Sequence, residues 1–237
     1  MKKILLSVGL SFSLLLSVAP VSYASEPPSA TFSTQDLENI SDHLKELQLS
    51  KEVQDSLIEK IKNGELPDSD NPEKRDTGVT TEIETPDRII QRTTFPDGSV
   101  IQSTIDLSDA EVKEGQIVSP SSVSGGYATG GSGYRSYYNV TVREDTTFVH
   151  ARFFADYTLV QGGYSYISDA YDYYLDIIAG YSSSESLTVD QPNQTASRPA
   201  RATLSFNYVK LNGYLSTTYK LFLYVNNTSA TSQLQTY

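Results

Sequence analysis

Cysteine and tryptophan are absent from the 237 residues, methionine occurs once, and only His43 and His150 can supply imidazole. Without cysteine there is no disulfide framework, thiolate metal site, thiol nucleophile or lipid-modified cysteine at an export junction. Basic residues are scarce too: 18 Lys and Arg stand against 29 Asp and Glu, for a net charge of -11. A chain this negative is repelled by phosphate backbones, which argues against nonspecific nucleic-acid binding. Beyond the first segment no stretch approaches the roughly 20 apolar residues that a membrane helix needs.

That first segment carries Met1-Lys2-Lys3 as a basic start, Ile4 to Val18 as an apolar run, and Ser22-Tyr23-Ala24 as small residues before a cut ahead of Ser25. The three parts together predict a secretory signal peptide over residues 1–24, removed on export. The run is shorter than a span and is interrupted by Ser7, Gly9, Ser11, Ser13 and Ser17, which argues against a retained anchor. Thr231 to Tyr237 has no hydrophobic segment or basic tail, so the expectation is a secreted, extracellular protein with no membrane contact after cleavage.

The remaining chain divides by composition. Ser25 to Ser122 holds 9 basic and 21 acidic residues, whereas Val123 to Tyr237 holds 7 and 8. Of the 17 tyrosines, all but Tyr23 follow Ser122. Residues 119–133 are rich in Gly and Ser, which predicts a flexible linker between an acidic module over 25–118 and a tyrosine-rich domain over 134–237.

In the acidic module, Ser33 or Thr34 can cap a helix with Leu37, Ile40, Leu44 and Leu47 on one face. Ser50 starts a second, with Val53, Leu57 and Ile61 spaced by four, and Asn63-Gly64 ends it. A short Gln48-Leu49 connection then makes a helical hairpin. Arg88 to Phe95 and Ser99 to Leu107 flank Pro96-Asp97-Gly98 as a β-hairpin, with Val79 to Thr85 as a candidate third strand.

The second half alternates apolar and polar residues as strands do. Val149, Ala151, Phe153, Ala155, Tyr157 and Leu159 share one face, and Ala202, Leu204, Phe206 and Tyr208 another. Leu211-Asn212-Gly213 turns into a strand with Thr217, Tyr219, Leu221, Leu223 and Val225 in phase. With Tyr134 to Val142, Tyr171 to Ala179 and Ser184 to Asp190, this gives about six or seven strands, the size of an immunoglobulin-like antiparallel β-sandwich, with a small barrel as the other closure. The expected fold is mainly β, a C-terminal sandwich preceded by a small acidic helical-hairpin and β-hairpin module.

Asn63-Gly64-Glu65-Leu66-Pro67-Asp68-Ser69, followed by Phe95-Pro96-Asp97-Gly98-Ser99-Val100, resembles a module of largely uncharacterised exported proteins of Gram-positive bacteria. The likeness covers roughly Ser50 to Leu107. It implies a Gram-positive source and brings no catalytic residue with it.

Few chemical constellations are visible. His150 lies on the mixed face of its strand beside Arg152, and no Gly-x-Ser-x-Gly elbow accompanies it. His43 is expected on the solvated side of the first helix. Asp68-Ser69-Asp70-Asn71 opens like a calcium loop, but Glu73 and Val79 replace the required Gly and Glu. Asp169, Asp172 and Asp176 could gather around calcium only if their segment bends. As a plain strand it would put Asp172 and Asp176 on one face, where they could instead serve a small carboxylate-dependent hydrolase.

Tyrosine is the most informative feature. Tyr164, Tyr166, Tyr171, Asp172, Tyr173 and Tyr174 form the candidate binding surface, because these phenols are too many for the core and prefer a partly wet position. The expected function is nonenzymatic binding of an extracellular protein or a cell-surface glycan, without cofactor, metal or catalytic residue. A secreted antibacterial or toxin would share the same features.

Overall fold

The computed structural model describes residues 32–117, 132–210 and 216–237. The expected signal peptide, the Leu211-Asn212-Gly213 turn and all but the end of the Gly/Ser-rich linker lie outside the described residues.

Helix α1 (Thr34–Glu46) starts at Ser33, whose hydroxyl accepts from the Asp36 N–H while the Asp36 carboxylate accepts from the Ser33 N–H. This reciprocal box satisfies two donors that a bare helix end leaves open. Ser50 caps α2 (Lys51–Lys62) through the Val53 N–H, and Gly64 follows its end with φ 81°. Ile40, Leu44, Leu57 and Ile61 are fully buried. Helices this short are marginal alone, so that burial, about 1.5–3 kcal/mol per side chain, is what holds them.

Two short 3-10 turns, Asp68–Asp70 and Pro72–Thr77, lead into the strands. β1 (Val79–Glu84), β2 (Arg88–Thr94), β3 (Val100–Asp106), β4 (Glu111–Ile117), β5 (Ser132–Asp145), β6 (Val149–Val160) and β7 (Tyr166–Ile177) form one antiparallel sheet. β8 (Gly180–Gln191), β9 (Ala200–Lys210), β10 (Ser216–Asn226) and β11 (Ser229–Thr236) form the second, in the order β11-β10-β9-β8. The expected mainly β sandwich with a small helical module in front is present. From β5 to β11 each strand follows its predecessor as a meander that crosses between the sheets from β7 to β8.

The long β5 organises the first sheet. β6 occupies one of its edges, so β3, paired along Thr141–Asp145, and β4, paired along Ser132–Tyr138, share the other edge end to end. The shift in charge at Ser122 therefore does not divide two cores. Strands from both sides pair directly, and Ile40, Leu44, Leu57 and Ile105 belong to the same buried cluster as Val142, Phe153, Leu204 and Leu221.

The helical hairpin closes one end of the sandwich. Phe32 stacks on Phe148, with ring centroids 6.5 Å apart, and Ser69 Oγ lies 3.2 Å from Thr147 Oγ1. Asp70 accepts hydrogen bonds from Ser69 Oγ (2.7 Å), Thr146 Oγ1 (2.6 Å) and Tyr219 OH (2.8 Å). The segments 63–69 and 95–100 meet here as a clasp. Lys60 Nζ donates to Asp68 (2.7 Å) and Asp97 (2.8 Å), Asp97 also accepts from the Asp68 N–H, and Ser99 Oγ accepts from the Ser69 N–H. Gly98, at φ 83°, brings the turn so close to α2 that an added Cβ would lie 2.7 Å from a Val53 methyl.

Candidate functional site

β7 ends the first sheet and carries the predicted tyrosine surface. Tyr164 just before it, Tyr166 at its start and Tyr173 and Tyr174 along it are exposed, by 59%, 38%, 43% and 53% respectively. Tyr171 is half-buried: its ring stacks on Phe154 at 6.1 Å and its hydroxyl donates to Asp156. Desolvation, and then the neighbouring Asp156, push the Tyr171 phenol up from its ordinary value. Arg152 sits over the Tyr174 ring at 5.2 Å.

Asp172 is exposed and adopts φ 49°, where β7 bulges between the pairs Arg152–Tyr174 and Phe154–Tyr171. Two residues, Asp172 and Tyr173, thus oppose Phe153 alone. The bulge corrects the plain-strand reading, because the alternation that would put Asp172 and Asp176 on one face is interrupted between them. Asp169, Asp172 and Asp176 do not converge either: among the described residues the one group of His, Asp and Glu close enough to share an ion lies elsewhere.

That group lies where the end of α1 meets β5, β6 and β7. In the pairing of the strands His150 stands between Asp145 and Asp176. Its Nδ1 is 2.5 Å from Asp145 Oδ1, and Arg143 Nε lies 2.8 Å from the same buried carboxylate. Its Nε2 faces Glu46 Oε2 at 3.5 Å. Among the described residues no hydroxyl hydrogen-bonds to His150, so the cluster offers no activated serine or threonine.

His43 corrects the surface expectation, being only 3% exposed. Its Nε2 hydrogen-bonds the Thr146 carbonyl, and its ring meets that of His150 edge-on with centroids 3.8 Å apart. Burial first, and then the adjacent His150, hold its pKa below the ordinary histidine value, so the ring is neutral at neutral pH. Its position was legible after all: Ile40, His43, Leu44 and Leu47 follow the i, i+3, i+4, i+7 spacing of a buried face. No sequence signal announced Glu46 or Asp145, which join the cluster only through tertiary packing.

Two adjoining clefts open on the cluster. One, of about 260 Å³, is bounded by Glu46, Arg143, His150, Arg152, Tyr174 and Asp176. The other, of about 270 Å³, shares Glu46, His150 and Asp176 and adds His43. Tyr174 thus joins the tyrosine face to a polar recess. Comparison of the chain with protein-family models, curated proteins and solved structures yields no match.

Proposed function

We propose that the chain is exported from a Gram-positive cell, loses residues 1–24, and acts outside the cell as a nonenzymatic binding protein for an extracellular protein. The observation that carries this reading is the set of four exposed tyrosines, Tyr164 just before β7 and Tyr166, Tyr173 and Tyr174 on it, at the end of its sheet. Tyrosine presents a large contact area with few rotatable bonds, and with arginine it is enriched among the residues that dominate protein interfaces. Arg152 lies within this surface. A protein partner is favoured over a glycan because Arg152 already covers a face of Tyr174, Tyr171 stacks on Phe154, and tryptophan is absent. The bulge at Asp172 interrupts the regular ladder, which favours recognition by side chains over addition of a partner strand.

The test uses protein secreted by the producing strain. Its N-terminus is sequenced, and its binding to whole cells is compared with that of a Tyr173→Ser/Tyr174→Ser variant. The expectation is an N-terminal Ser25, binding that disappears when surface proteins are shaved with protease, and at least about tenfold weaker binding by the variant. Protein retained in the membrane from Met1 would contradict export. Binding that resists protease but is lost on wall-glycan digestion would overturn the choice of partner, and unchanged binding by the variant would overturn the choice of surface.

A further inference from the structure

We propose that His43, Glu46 and His150 bind a single divalent transition-metal ion of the zinc class, with a coordination position left open to the cleft. The inference stands apart from the tyrosine face and rests on four geometric observations.

The first is convergence. Each of the three residues offers one ligand atom, and these atoms all lie within 4.8 Å of one another. Glu46 Oε2 is 3.9 Å from His43 Nδ1 and 3.5 Å from His150 Nε2. Ligands about 2.0–2.1 Å from a tetrahedral zinc stand roughly 3.3–3.5 Å apart, so both Glu46 distances are already close to those of a bound ion, and the two histidine nitrogens, within 4.8 Å, would draw together on binding. Glu46, exposed at the end of α1 and one helical turn from His43, is free to adjust to an ion held between the two rings.

The second is the orientation of both rings. A carbonyl can only accept, so the contact with Thr146 puts an N–H on Nε2 of His43 and makes Nδ1 the nitrogen left to ligate. At His150 the Asp145 carboxylate, 2.5 Å from Nδ1, is much closer than Arg143 Nη2 at 3.3 Å, so Nδ1 donates to Asp145 and Nε2 is the nitrogen turned toward Glu46. A carbonyl or carboxylate behind each imidazole is the support that metal-binding histidines use to fix their tautomer.

The third is a polar atom without a purpose in the fold. His43 Nδ1 is buried and has no hydrogen-bond partner. Leaving such an atom unsatisfied costs about 1–3 kcal/mol, and a metal ion would satisfy it. The fourth is access. Three protein ligands and an open side are the pattern of a metal that keeps a position for water or an exogenous ligand, and both clefts border Glu46 and His150. Two imidazoles and one carboxylate select zinc, nickel or copper over calcium or magnesium, which favour all-oxygen sites. Because the chain has no cysteine and no third histidine, no stronger competing nitrogen or sulfur site exists in it.

The experiment uses the full secreted chain, freed of metal with a chelator and titrated calorimetrically with zinc chloride. The expected result is one ion per chain with micromolar or tighter affinity, unaffected by millimolar calcium or magnesium. Glu46→Gln and His150→Gln should each weaken binding at least tenfold, and Asp145→Asn about 10- to 100-fold through loss of ring support. His43 is left unaltered because it lies in the core. The two histidines are followed by long-range 1H–15N spectra, in which zinc should shift Nδ1 of His43 and Nε2 of His150. Absence of binding at millimolar zinc, affinity unchanged by both Glu46→Gln and His150→Gln, or a spectrum in which His43 does not respond would each overturn the site.

Discussion

Glu144 sits on the inward face of β5 with no exposure to water. Neither carboxylate oxygen has a hydrogen-bond partner, although the hydroxyls of Ser103 and Ser232 lie close enough to favour its charged form. Desolvation outweighs them and, reinforced by the charge of Asp145, pushes the carboxyl up to about 8. The folded state then keeps a proton that the unfolded chain releases near the ordinary glutamate value. The associated stability is fully present below about pH 4.5 and is lost as pH rises through about 8, at no more than about 1.4 kcal/mol per pH unit. Glu144→Gln should remove this slope. Urea unfolding at pH 5 and pH 8 should show the variant gaining on the wild-type protein at the higher pH, and a difference independent of pH would contradict the assignment. In the sequence Glu144 stands between Arg143 and Asp145 like an ordinary solvated charge, and only its phase with Val140 and Val142 turns it inward. Nothing before folding shows that both Ser103 and Ser232 will face it from other strands.

At the scale of elements, the clasp between α2 and the β2–β3 turn shows what a turn motif can conceal. Pro96-Asp97-Gly98 is legible as a turn from its backbone preferences alone. Its side-chain role was not legible: Asp97 accepts from Lys60 Nζ, the Asp68 N–H, the Ser99 N–H and Ser99 Oγ. Asp97→Ala strands these donors together and should destabilise the fold by about 2–4 kcal/mol, more than Lys60→Met, which removes only one of them. Equal losses in thermal unfolding would show that the lysine contact alone matters. The helices were legible because Ser33, Ser50 and Gly64 punctuate regular apolar stripes. β11 was not, since Ser229–Thr236 is mostly small and polar, and its inward Ala230, Ser232, Leu234 and Thr236 are buried only once pairing with β10 lays them against β3 and β5 of the other sheet. The bulges at Asn139, Asp172 and Ser184, each with positive φ, were equally invisible, because tertiary pairing imposes them on ordinary strand residues.

For the whole molecule, charge and fold follow different boundaries. The acidic half is legible as a unit of composition, yet it supplies β3 and β4 to one edge of β5 and caps an end of the sandwich with its helices. A chain lacking Ser25 to Ser122 should therefore fail to reach a native state, with the β5 edge and apolar residues such as Val142 and Phe148 uncovered. Near-ultraviolet circular dichroism of its tyrosines would detect this, and a cooperative native-like spectrum from the fragment would restore the independent domain. The Asp70–Tyr219 hydrogen bond spans 149 positions of sequence. Contacts of such reach make folding slow, because the chain must give up the entropy of a long loop before any contact rewards it. A chain that leaves a ribosome or a translocation channel N-terminus first has no hydroxyl from β10 for Asp70 until Tyr219 has also emerged. The last strands to appear thus act as a latch on a segment near the start, and the buried Asp70 carboxylate waits for the Tyr219 hydroxyl until almost the whole chain has been made.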